Sequence, residues 1–123
     1  MKLTEKHLKQ YRKSASYWQT VLGLTGWYLT VEWDTSADPD SLSYVRLNVP
    51  GRRCHMYLCQ DWADREVSDQ RLHEICFHEL MHIVLGDLVS MCEKNTGRSV
   101  YGPIQAMEHN VIRTLENLVF RIQ

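Results

Sequence analysis

The segment His78-Glu79-Leu80-Met81-His82 carries the pattern H-E-x-x-H. On a helix, residues four apart stand on one face, a turn from each other. Two imidazoles so placed can share one tetrahedral Zn²⁺ at about 2.0–2.1 Å each. Glu79 falls about 100° round the helix from His78. That sets a carboxylate beside the ion instead of on it, where it can take a proton from metal-activated water. At this chain's own His and Glu frequencies, the three fixed letters arise by chance in roughly 2% of such sequences. The motif also falls in the most apolar stretch of the chain, where two imidazoles and a carboxylate are costly to bury without partners.

Two imidazoles hold a catalytic zinc weakly, so a third protein ligand is expected, with water in the fourth position. The downstream candidates are Glu93, Glu108, His109 and Glu116. Ile104, Val111, Ile112, Leu115, Leu118, Val119 and Ile122 form an apolar stripe on the final helix. At about 100° per residue, Glu108 lies about 30° from the centre of that stripe, Glu116 about 110° and His109 about 130°. An acid aimed at the core needs a compensating charge, which a metal supplies. The expected ligands are therefore His78, His82 and Glu108, with His109 as the alternative. Glu93, at a polar helix end, is a poor candidate. Glu79 is the expected general base, and Zn²⁺ the expected cofactor.

The elements that must position these groups follow from periodicity. Leu8, Tyr11, Ala15, Trp18 and Leu22 predict a helix over about 4–22, stopped by Gly23 and Gly26. Lys2, Lys6, Lys9, Arg12 and Lys13 lie mostly off its apolar stripe and read as a solvated face. Holding DNA phosphates is the alternative role for that face. Alternation over Trp27–Trp33 predicts a strand, and Asp34–Ser43 a loop. Residues 44–60 read as a hairpin turning at Pro50-Gly51. Ser68 or Asp69 caps a long helix running to about Met91, apolar on much of its circumference and hence central. Lys94–Gly102 reads as a loop, and Pro103 suits the first turn of a helix over about 104–122. The expected fold is α+β: an N-terminal helix, a three-stranded, mostly antiparallel sheet, a central H-E-x-x-H helix and a C-terminal helix.

His78-Glu79-Leu80-Met81-His82, followed by Leu85-Gly86-Asp87, resembles the small HExxH metallopeptidases of bacterial and phage genomes. Within these the chain is most similar to the gluzincins, whose third ligand is a Glu on a later helix, with the ImmA/IrrE-type peptidases as the nearest analogy. The resemblance covers about residues 68–116. It implies a zincin-like, minigluzincin core with an edge strand beside the zinc. In many gluzincins an Asp four residues after the ligand Glu orients a ligand histidine. Here that position is Ile112, so the orienting partner is sought at Asp87, Glu116 or a backbone carbonyl.

The 123 residues fit one domain, 1–123. A formal net charge of −1 gives no overall push toward nucleic acid. No apolar run follows Met1–Lys6, which argues against a cleaved signal peptide, and none is long enough to span a bilayer. Without a secretion signal, Cys54, Cys59, Cys76 and Cys92 read as reduced thiols, so a cytoplasmic location is expected. A structural zinc site at Cys54, His55 and Cys59 lacks a second ligand pair at the usual spacing.

The expected activity is zinc-dependent peptide-bond hydrolysis. The expected partner is a peptide or protein chain paired as an extended strand with the 54–60 strand. Tyr101 or His55 is the candidate donor to the oxyanion. The competing reading is a zinc-bearing peptide-binding or regulatory module of a mobile element, without turnover. Neither a membrane nor a nucleic-acid partner is expected, and the sequence sets no oligomeric state.

Overall fold

The computed structural model describes residues 2–35, 41–96 and 101–121. In chain order the elements are α1 (Glu5–Val21), β1 (Tyr28–Asp34), β2 (Ser43–Asn48), β3 (Arg53–Cys59), α2 (Asp69–Val84), α3 (Gly86–Thr96) and α4 (Tyr101–Glu116), which runs into a π-helical turn, Asn117–Arg121.

The strands alternate as the sequence predicts. Cys54, Met56 and Leu58 of β3 are fully buried, while Arg53, His55 and Tyr57 face the other way. The sheet order is β1-β3-β2. β2 and β3 form the expected antiparallel hairpin, whereas β1 pairs with β3 in parallel, Tyr28 opposite Arg53. The sheet is therefore mixed, which the expected mostly antiparallel arrangement did not capture. The reason lies in the connection after β1: the chain re-enters at the far edge, and the tight hairpin then returns β3 to the middle. Gly51 N–H bonds the Asn48 side chain in that turn. Arg52 adopts φ +52 there, a left-handed conformation costly for a residue with a Cβ.

One sheet face carries α1 and α2. Leu8, Tyr11, Ala15 and Trp18 of α1 and Leu72, Cys76, Phe77 and Leu80 of α2 meet Val31, Cys54, Met56 and Leu58 in one core. The buried Tyr11 hydroxyl is satisfied by Ser43 Oγ at 2.6 Å. Cys54, Cys59, Cys76 and Cys92 are not joined in disulfides. Cys54 and His55 point to opposite faces of β3, so strand alternation itself rules out a site made of Cys54, His55 and Cys59.

Ser68 caps α2, its hydroxyl accepting from Arg71 N–H at 3.0 Å. The long central helix predicted to Met91 is two helices, bent by 48° between Val84 and Gly86. Gly86 is buried at the bend, where a Cβ would sit 3.4 Å from Val49 Cγ2 and 3.7 Å from Leu47 Cδ1. The missing side chain lets the second helix turn closely under the β2–β3 corner. Among the described residues, no single helix is long and apolar enough to cross a membrane.

α4 begins at Tyr101, ahead of the predicted start, and Pro103 lies in its first turn. Its apolar stripe is only partly used. Ile112 is fully buried and Leu115 half-buried, whereas Val111, Leu118 and Val119 are exposed. Beyond it, Phe120 in the π turn stands edge-on to Trp18 and Phe77, with ring centroids 5.8 and 5.2 Å away.

Candidate metal centre

α2 presents His78 and His82 on one face, as their spacing requires, with ring centroids 5.3 Å apart. α4 crosses this face and adds His109, whose centroid is 5.7 Å from that of His78 and 5.1 Å from that of His82. One ring nitrogen from each of the three lies within 4.8 Å of the others.

The hydrogen bonds decide which nitrogen is available. His78 Nδ1 meets Glu116 Oε1 at 2.9 Å, His82 Nδ1 meets Glu108 Oε2 at 3.0 Å, and His109 Nδ1 meets the Gln105 carbonyl at 2.9 Å. Ionised carboxylates and carbonyls only accept, so each Nδ1 carries the proton and donates it. Neutral imidazole then has its lone pair on Nε2, leaving three Nε2 atoms for a metal. Oxygen acceptors behind ligand histidines fix ring orientation and raise ligand basicity at metal centres.

The cluster formed here differs from the expected ligand set. Glu108 does face inward, but its carboxylate binds His82 Nδ1, and the cluster that can hold an ion is His78, His82 and His109. The stripe centre does not place His109, because α4 is held by Ile112 and not by the middle of its apolar residues. Taken from Ile112, Glu108 lies about 40° to one side and His109 about 60° to the other. Both therefore reach α2, Glu108 onto His82 Nδ1 and His109 into the imidazole cluster. Of the partners considered for a ligand histidine, Glu116 is the one that meets His78. Asp87 instead pairs with Arg52 at 2.9 Å.

Glu79 points away from solvent at 7% relative exposure. Burial pushes its carboxyl up to about 7; His82 pulls the other way, and Glu116 adds to the rise. A carboxylate poised near neutrality suits proton transfer at ordinary pH. Burial lowers the His78 pKa, against the opposing pull of Glu116. For His82 burial also pulls downward, but the Glu108 hydrogen bond and the charges of Glu108 and Glu79 raise the pKa overall.

The cluster opens into a cavity of about 810 Å³. Its second wall is β2 with the turn that follows, including Val45, Leu47 and Val49, and its third is α3. β3, the strand expected to receive a substrate, is paired on both sides and offers no edge. The free edge is β2. Cys59 N–H bonds the Leu42 carbonyl at 2.9 Å, which marks one hydrogen-bonded pair of the ladder. Hydrogen-bonded pairs recur at every second residue, so Tyr44 and Arg46 bond β3 while Val45 and Leu47 turn their N–H and C=O outward.

His55 stands on the opposite sheet face, where Nδ1 meets Thr30 Oγ1 at 2.6 Å, and does not reach the cavity. The Tyr101 side chain, the other candidate oxyanion donor, lies outside the described residues. Glu93, set aside as a ligand, lines the cavity from α3.

The fold and site define an α+β protein with a three-histidine cluster backed by glutamates beside an open strand edge. No protein-family model matches the chain, and neither curated proteins nor solved structures give a match.

Proposed function

We propose that this protein is a zinc-dependent peptidase whose metal is held by His78, His82 and His109, with Glu79 as general base. The observation that carries the reading is the convergence of three lone-pair-bearing imidazole nitrogens next to a buried carboxylate, in a cavity walled by an unpaired strand edge. Imidazole donors suit zinc, and three histidines with a fourth position left for water are a known catalytic set. Bound there, zinc would supply a Lewis acid that acidifies water and polarises a carbonyl. Glu79 takes the proton of the attacking water and returns it to the leaving amine. Glu108, Glu116 and the Gln105 carbonyl hold the three rings in their ligating orientation. Val45 and Leu47 pair with the main chain of an extended substrate, which lies along the cavity with its peptide bond beside Glu79. The minigluzincin likeness supports the base and the two α2 ligands; the third ligand departs from the gluzincin pattern.

The test combines metal content with casein cleavage, with and without chelator. One zinc is expected per wild-type chain, with cleavage abolished by chelation. Glu79→Gln keeps its zinc and loses about 10²–10⁴-fold in rate. His82→Ala loses the metal; full zinc in that variant discards the site. Stoichiometric zinc with peptide binding but no cleavage in the wild type favours the competing reading, a binding module without turnover.

A further inference from the structure

Among the described residues, the cavity lining contains three carboxylates, Glu79, Glu93 and Glu108, and no lysine or arginine. Two of the three are engaged by the centre, Glu79 beside the imidazoles and Glu108 on His82. Glu93 is the third. It is half-buried and forms no hydrogen bond or ion pair with the described residues. Its position follows from helical spacing. Gly86, Val89, Ser90 and Glu93 recur at steps of three, one and three, which puts them on one face of α3, and all four line the cavity. Glu93 stands seven residues beyond Gly86, about 10 Å further along the helix. Facing it, the β2 wall contributes apolar side chains, Val45, Leu47 and Val49.

We infer that Glu93 makes this end of the groove a subsite for a cationic side chain, so that the substrate is an extended polypeptide with a lysine or arginine near the bond cleaved. The inference rests on the peptidase reading for the groove's occupant. The basic residue is the one that the register of the chain along β2 brings to Glu93. Its aliphatic stem packs on the apolar β2 wall while its charge reaches Glu93, the division that long basic side chains favour. An acidic side chain at the same place meets a like charge, with no cation among the described lining residues to relieve it. The discrimination between lysine and glutamate is about tenfold, the scale of a partly exposed ion pair set against a repulsion.

The experiment uses the zinc-loaded full chain carrying Glu79→Gln, so that binding is read without turnover. The probes are fluorescein-labelled nonapeptides of Ala, Ser and Thr with one Lys moved through each position, and the matching set with Glu. Anisotropy titrations are expected to show about tenfold tighter binding of the Lys peptide at one or two adjacent positions. Adding Glu93→Gln abolishes that preference, and Glu93→Lys reverses it. Equal binding of the two sets at every position overturns the inference. So does absence of binding by any Lys peptide, or a preference that survives Glu93→Lys. Incubating the same peptides with wild-type protein separates the two readings: Lys preference without cleavage refutes turnover and upholds the subsite.

Discussion

The sheet has two edges, and they are treated differently. On β1, Arg12 of α1 donates two hydrogen bonds to the Val31 carbonyl, at 3.0 and 3.2 Å, and the Gln19 amide holds the Trp27 carbonyl at 2.9 Å. Polar side chains of the first helix thus occupy outward-facing backbone at that edge. On β2, the outward groups of Val45 and Leu47 face the cavity of the three histidines, and no described side chain caps them. An uncovered edge invites unwanted pairing with other chains, and proteins normally blunt it. Here the blunted edge is the one remote from the imidazoles, and the open edge is the one beside them. The difference supports the reading of β2 as a docking strand.

The largest expected effect tests the wall opposite the open edge. Ile112 is the one fully buried side chain of α4 among the described residues. Ile112→Ala removes about 2–5 kcal/mol of stability, and because α4 carries His109, Glu108 and Glu116, zinc affinity falls with it. Urea melts with and without zinc measure both. An unchanged zinc affinity would mean that α4 does not complete the site.

Next come the orienting carboxylates. Glu108→Gln and Glu116→Gln each weaken zinc binding by about 10–100-fold, read by competition with a chromogenic chelator. Equal binding to wild type would reduce both to surface acids and remove the argument that fixes the tautomers.

A smaller effect contrasts the edges directly. Val45→Pro deletes an outward N–H and spares the ladder, so casein cleavage drops by about tenfold, the worth of one main-chain hydrogen bond, with little change in Tm. Arg12→Ala on the β1 edge does the reverse: cleavage is unaltered and Tm falls by about 5 °C or less. Should both variants cleave like wild type, β2 would be as idle as β1.

The central strand gives the smallest effect near neutral pH. Burial pushes the Cys54 thiol up to about 12, with the Glu79 charge adding to the rise, against about 8.5 in an unfolded chain. Between those values the unfolded state has released a proton that the native state keeps. Stability is therefore fully present below about pH 8.5 and is lost as pH climbs toward 12. Cys54→Ala, melted at pH 7 and pH 10, flattens this dependence; a slope identical to wild type would show that Cys54 does not cause it.

Much of the site was legible in the chain because it is local. Four-residue spacing brings His78 and His82 to one face on any helix, and Glu79 follows from the same rotation. The hairpin at Pro50-Gly51 and the Ser68 cap are local in the same sense. What failed was whatever depended on a partner. The central helix looked continuous to Met91, yet Gly86 bends where β2 and its turn press on it. The 54–60 strand looked free, yet β1 lies parallel along it.

The sequence by itself determined a helical pair of imidazoles with an acid beside them, since helix geometry is set by the backbone within a few residues. Only the tertiary structure decided that His109 joins them while Glu108 and Glu116 stand behind, and that β2 is the open edge. Periodicity reports which residues share a face, but not how far a helix is rotated against its neighbour or where a strand is placed in its sheet. Those are fixed by packing between segments distant in sequence: here by Ile112 under α4 and by the β1–β3 pairing.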